Sequence, residues 1–258
     1  MPERRKDVMV YHYDPKKKFF LVTLQLENVP GALGNVTSIL GVRGINMLEG
    51  YFGGVNQEGK GTMSFFVESD NPKMDREWLQ DFIQSAVLVS DVEVREGVEG
   101  FLADSLNFPL TWNTGERALV FRMETAQSML DEIRATAGAE VVYRAGYKHG
   151  LNAWKKIFTE FRPGTQEGLA EVLHILGAVG WGVFELHSVD FKHKMAVIRM
   201  SEGFECQGIT SNESYSQFIR GHITGCLTAY FGVDMNVVES KCTSKGDKQC
   251  EFTAQPKA

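Results

Sequence analysis

All four cysteines of the chain lie between Phe204 and Phe252: Cys206, Cys226, Cys242 and Cys250. The closing segment, residues 237–252, runs through apolar and β-branched residues, turns at Lys245-Gly246-Asp247 and returns, which is the pattern of a β-hairpin. Glu239 and Cys242 stand near the end of the outgoing strand and Cys250 on the returning one. A hairpin therefore carries one carboxylate and two thiols toward a common point, and thiolate and carboxylate are both zinc ligands. The plainer alternative makes Cys242 and Cys250 small buried hydrophobes. If an ion is held, a structural role is expected. Catalysis needs an open position beside a general base, and no such base is visible. No nucleophile elbow, P-loop, dinucleotide fingerprint or H-E-x-x-H occurs elsewhere, and Gly50-Tyr51-Phe52-Gly53-Gly54 reads as glycine in a strand rather than a phosphate cradle.

Several elements must position this set. The chain has 258 residues, 43% hydrophobic and 23% charged, enough for two ordinary domains or one large one with a sizeable core. Its formal net charge of −6 argues against direct nucleic-acid binding through phosphate neutralisation. The N-terminal tail, where Arg4, Arg5, Lys6, Lys16, Lys17 and Lys18 outnumber Glu3, Asp7 and Asp14, reads as a solvated basic arm over residues 1–17. No apolar run approaches the roughly 18 residues of a membrane span. The charged N-terminus lacks the apolar stretch of a signal peptide. A cytoplasmic location is expected, where cysteines serve as thiols or metal ligands rather than disulfides.

Residues 18–97 read as strand (Lys18–Glu27), turn (Asn28-Val29-Pro30-Gly31), helix with Leu33, Val36, Ile39 and Leu40 on one face, strands Ile45–Val55 and Thr62–Ser69, a helix opened by Pro72, and a strand Val87–Val94. This β-α-β-β-α-β order is ferredoxin-like. With Leu26-Glu27-Asn28-Val29-Pro30-Gly31-Ala32-Leu33-Gly34 and Gly44-Ile45-Asn46, the unit resembles the ACT domain, a small-molecule-binding regulatory module. The resemblance implies that Asn28 hydrogen-bonds an amino-acid ligand at a dimer interface and that Gly31 permits close approach. The alternative is a unit that only dimerises or contacts its own second domain.

Residues 98–116 read as a connector punctuated by Asn107-Phe108-Pro109 and residues 111–115, with Phe101, Leu102, Phe108 and Trp112 expected to pack. From residue 117 the pattern becomes a second α+β domain: a strand Ala118–Met123, helices Thr125–Ala137, Ala139–Phe161 and Gln166–Val179, strands Gly182–Val189 and Met195–Met200, a helix from Asn212 to Phe231, and the hairpin.

Residues 117–255 resemble the 4VR (vinyl-4-reductase-type, Bet3-like) domain through Gly180-Trp181-Gly182, the helix bearing Gly221 and Gly225, and Glu239-x-x-Cys242, Gly246-Asp247 and Cys250-x-Phe252. That fold occurs in accessory proteins of bacteriochlorophyll synthesis, in phenol sensors of transcription activators and in vesicle-tethering proteins. In the phenol sensors this Glu and these two Cys hold zinc with a further Cys five residues before the first helix glycine. Here that position is Ser216, so Cys206 becomes the expected replacement, with Cys226 or water as alternatives. The resemblance further implies a ligand chamber between helices and sheet, with His174 and Trp181 as ligand contacts and Phe184, His187 and Phe204 as further lining. Tyr143, Trp154 and Phe158 read as core, and Lys148-His149 as surface.

The combined expectation is a homodimeric regulatory protein. It would bind an amino acid at the ACT unit and an apolar or aromatic molecule in the 4VR unit, carry a structural zinc, and signal to a protein partner. An accessory protein or enzyme of tetrapyrrole vinyl reduction is the alternative from another class. An interaction scaffold without a ligand is a third.

Overall fold

The computed structural model describes residues 6–71, 73–112 and 115–257. Arg4, Arg5 and Glu3 of the basic arm, Pro72 and the Asn113-Thr114 punctuation lie outside them. The chain divides into two compact units, Met1–Leu119 and Val120–Ala258.

In the first unit, strand β1 (Tyr11–Tyr13) is followed by β2 (Lys18–Glu27), α1 (Ala32–Val42), β3 (Asn46–Gly53), β4 (Lys60–Ser69), α2 (Arg76–Gln84), β5 (Val89–Glu96) and β6 (Phe101–Ala103). Four strands form one antiparallel sheet in the order β3-β4-β2-β5, the ferredoxin-like arrangement. Strand alternation divides β2 between two faces. Phe20, Val22, Leu24 and Leu26 join Val36, Leu40, Leu79 and Ile83 in the core, whereas Phe19 and Leu21 meet Phe66 and Leu102 on the opposite face. Within the N-terminal arm, β1 pairs with β6 and supplies His12, which stacks on Phe19. Asp75 caps α2: its carboxylate accepts the Trp78 N–H at 2.8 Å and satisfies one orphan donor of the first turn. The connector packs less than its aromatic content predicts. Leu102 is buried because β6 turns it toward the sheet, but Phe108 is 77% exposed and Trp112 is exposed as well.

The second unit contains α3 (Met123–Ala137), α4 (Ala139–Glu160), α5 (Gln166–Ala178), β7 (Val183–Asp190), β8 (Met195–Ser201), α6 (Gln217–Phe231), β9 (Met235–Lys241) and β10 (Cys250–Pro256). Its sheet is antiparallel in the order β7-β8-β10-β9. The mixed helix-and-sheet content makes the chain an α+β protein. The strand expected at Ala118–Met123 does not form. Thr111 and Arg117 make a single bridge, and the backbone enters α3 at Met123. α6 begins at Gln217 rather than Asn212 because the preceding residues are tied to the hairpin: Ser211 N–H donates to Ser244 O, and Tyr215 N–H to Cys242 Sγ.

α4 and α6 cross with their backbones in contact. A Cβ on Gly146 or Gly150 would lie 2.1 or 2.2 Å from the carbonyl oxygens of Phe218 and His222. A Cβ on Gly221 or Gly225 would lie 2.1 or 2.2 Å from those of Tyr143 and Tyr147. Two glycines four residues apart on each helix therefore allow an approach that side chains would forbid. Trp154, Leu173, Ile198, Met200, Ile223 and Phe252 fill the core of this unit. Among the described residues no helix is long and apolar enough to cross a membrane.

Candidate metal centre

Strand period explains why the chemistry converges. On β9, Met235 and Val237 are buried in the core, and two residues on, the same face presents Glu239. On β10, Cys250 precedes the buried Phe252 and Ala254 on one face. Cys242 follows the last residue of β9 and is fixed by a tight turn, its N–H donating to Asp247 Oδ2 at 2.8 Å. Cys206 arrives from the loop after β8. The neighbouring Glu205 anchors that loop, its carboxylate accepting the N–H groups of Phe218 at 3.0 Å and Ile219 at 2.7 Å, with Arg134 at 3.3 Å. Glu205 thereby caps α6, whose N-cap residue Ser216 makes no capping bond. Burial pushes the Glu205 carboxyl up to about 7, against the pull of those two N–H groups and of Arg134.

Ligand atoms of Cys206, Glu239, Cys242 and Cys250 all lie within 4.8 Å of one another, a group able to hold a metal ion. Cys242 Sγ is 3.5 Å from Cys206 Sγ and 3.9 Å from Cys250 Sγ. A tetrahedral zinc with Zn–S of about 2.3 Å needs sulfurs about 3.8 Å apart. The four cysteines are free thiols. Hydrogen bonds from the Cys206 and Cys250 thiols, supported by Ser244 and the Tyr215 N–H, push the Cys242 thiol down from its ordinary range. Donation to Cys242 pushes Cys206 correspondingly up. Burial, then proximity to Cys242, pushes Glu239 up to about 8, and its Oε1 is buried without a hydrogen-bond partner. A buried carboxyl oxygen without a partner beside three sulfurs is costly alone and is satisfied by a cation. Ser216, at the position where the resemblance calls for a cysteine, bonds Cys206 Sγ through Oγ at 2.9 Å. Cys226 lies away from the set, buried in the core on α6, where desolvation raises its thiol.

The remaining expected contacts are scattered. Trp181 is half-buried, with ring centroids 5.8 Å from Phe204 and 5.5 Å from Phe218. His174 stands on the outer face of α5 with Nδ1 3.4 Å from a Glu171 oxygen, and His187 is exposed beside Glu185. The structure brings neither to Trp181. The histidines that meet Trp181 are His149 and His222, at 5.6 and 4.9 Å between ring centroids. Trp154 Nε1–H donates to His222 Nε2 at 2.9 Å, and His222 Nδ1 lies 2.9 Å from His149 Nδ1. Burial, then His149, lowers His222 to about 3, and burial lowers His149. His149 and His222 are 73 residues apart. The signal that could have joined them is the matched glycine pairs of α4 and α6. In the first unit Asn28 is exposed in the turn after β2, and Gly31 has φ +90°, a conformation that favours glycine. An added Cβ there would meet no atom within 4 Å.

A V4R domain model matches residues 196–256, and the C-terminal region carries that domain. No curated protein matches the chain. The chain is similar to the phenol-responsive sensory domain of the transcription activator PoxR with phenol, at 18% identity over 56% of this chain and 79% of that one, with a TM-score of 0.49. It is similar to a vinyl-4-reductase family protein from Methanocaldococcus jannaschii, at 22% identity over 55% and 85%, with a TM-score of 0.38. A third likeness is to an ACT domain protein from Streptococcus pneumoniae, at 19% identity over 31% and 89%, with a TM-score of 0.25.

Proposed function

We propose that this chain is a ligand-responsive regulatory protein whose C-terminal V4R unit binds a small apolar or aromatic molecule and is held together by a structural zinc. The observation that carries the reading is the Cys206–Glu239–Cys242–Cys250 set inside a region matched by the V4R model, with Glu239 Oε1 buried and without a hydrogen-bond partner. When bound, zinc would cross-link the β9–β10 hairpin to the Cys206 loop. Glu205 and Asp247 orient that set, Glu205 by fixing the loop to α6 and Asp247 by fixing the Cys242 backbone. The likeness to a phenol-responsive sensory domain supports an aromatic ligand for this unit. The N-terminal unit, residues 18–97, is assigned an amino-acid effector at the Asn28–Gly31 turn, and a homodimer is the economical assembly. The output passes to a protein partner, as the formal net charge of −6 argues against direct nucleic-acid binding. Trp154, Leu173, Met200 and Phe204 belong to one buried apolar core in this unit. That packing favours a second reading, a protein-interaction scaffold without a ligand.

Elemental analysis of the purified protein, beside Cys242→Ser and Cys206→Ser, tests the carrying observation. Near-stoichiometric zinc in the parent, lost in both variants, is expected. A metal-free parent purified without chelator returns the cysteines to core packing and favours the scaffold.

A further inference from the structure

The hydrogen bonds around His222 determine where every proton in that cluster sits. An indole N–H can only donate, so His222 Nε2 must be an acceptor and neutral His222 carries its proton on Nδ1. Nδ1–H then donates to His149 Nδ1 at 2.9 Å, which must in turn be a lone pair. His149 is left with its proton on Nε2. To offer a lone pair at Nε2, His149 would have to move its proton to Nδ1, against the His222 N–H. His222 would then have to move its own proton to Nε2, against the Trp154 N–H. The chain Trp154–His222–His149 thus makes His149 Nε2–H an obligatory donor, unsuited to bind a metal or act as a base.

That donor has no protein partner among the described residues, and His149 lines an open groove of about 630 Å³ on the outer face of α4. The other lining residues are Ala145, Lys148, Asn152 and Ala153, which with His149 recur at helical spacing on one face. The Lys148 ammonium and the Asn152 amide also lack protein partners among the described residues, and none of the lining residues is acidic. Two alanines supply an apolar floor, and the fixed donors all seek an acceptor.

We propose that this α4 groove binds a small carboxylate with an apolar body, its oxygens taken by His149 Nε2–H and Lys148 and its body laid over Ala145 and Ala153. The site uses no metal ligand and neither His174 nor Asn28, so it stands apart from the reading above. Trp154 acts here as a positioning residue, through the tautomer it imposes two rings away.

The test uses the full-length protein as purified and three probes of one shape: benzoate, benzamide and benzylamine. Long-range nitrogen–proton correlation spectra report the His149 tautomer, and titration reports affinity. The expected result is an Nε2–H tautomer and binding of benzoate at least about tenfold tighter than benzamide, as a charge-assisted bond predicts, with benzylamine excluded. Lys148→Ala and His149→Ala, both on an exposed helix face, should each weaken benzoate about tenfold while keeping their metal content. Trp154→Phe should release the tautomer and weaken benzoate several-fold with every lining group still present. An Nδ1–H tautomer of His149, equal binding of benzylamine, or no benzoate binding at millimolar concentration would each overturn the proposal. Retained metal in such a result would leave the metal centre standing.

Discussion

The C-terminal unit holds two polar clusters, and they are satisfied in opposite ways. The Trp154–His222–His149 cluster alternates donor and acceptor, so both nitrogen lone pairs meet an N–H and one donor, His149 Nε2–H, is left over at the α4 groove. The Cys206–Glu239–Cys242–Cys250 cluster is built from three sulfurs and a carboxylate. Ser216, Ser244 and backbone N–H groups supply some donors, and Glu239 Oε1 still has none. A polar network whose lone pairs are all taken repels a cation, and a surplus of acceptors makes it a receptor for positive charge. The same unit therefore holds one cluster that excludes a cation and one that calls for it.

The strongest way to break this contrast is to force a proton into the closed cluster. Unfolded His222 titrates near 6.5, whereas burial lowers the folded residue to about 3. Between these values the unfolded chain takes up a proton that the folded chain refuses. The stability contributed by neutral His222 is therefore complete above about pH 6.5 and is lost as pH falls toward 3. At about 1.4 kcal/mol per pH unit the loss reaches about 4–5 kcal/mol. Acid also protonates thiolates, so the diagnostic quantity is the difference between the parent and His222→Gln in urea-unfolding midpoints from pH 7 to 4. The parent should lose stability more steeply; parallel curves would mean that His222 is charged or solvated in the folded state.

The open cluster should respond to metal instead. Removing an ion present at about a thousandfold over its dissociation constant costs about 4 kcal/mol. Chelation of the parent should lower its unfolding midpoint, and added zinc should restore it. Cys242→Ser should start low and ignore both treatments. A parent whose thermal unfolding is indifferent to chelator would place the two clusters in one class.

How visible each cluster was in the sequence follows from what joins its members. Glu239, Cys242 and Cys250 lie on two strands of one hairpin, so spacing and strand period alone bring them together. Cys206 was reachable only through the resemblance that pointed to a missing ligand at Ser216. His149 and His222 meet because Gly146, Gly150, Gly221 and Gly225 let two helix backbones touch. A glycine pair on one helix carries no information about which helix receives it. The ferredoxin-like unit was plain because Lys18–Glu27 alternates cleanly and its turn residues are chemically distinctive. The β1–β6 pair escaped notice, since three residues such as Tyr11–Tyr13 have no period to detect. His174 could have been placed correctly from period alone. Leu169, Val172, Leu173 and Leu176 form the buried stripe of α5, and position 174 falls outside it.

That placement yields the smallest expected effect, and it sharpens the contrast from outside. His174 is 55% exposed at its side chain and pairs with Glu171, a surface pair of the kind worth little. His174→Ala should therefore change stability by less than about 0.5 kcal/mol. It should leave zinc content unaltered and the affinity of any aromatic ligand of this unit unmoved. A thermal-shift series with phenol and benzoate on this variant, beside His149→Ala, separates the two histidines. If His174→Ala abolished an aromatic ligand's shift while His149→Ala did not, the outer face of α5 would be the binding surface. The closed cluster would then be only a packing device.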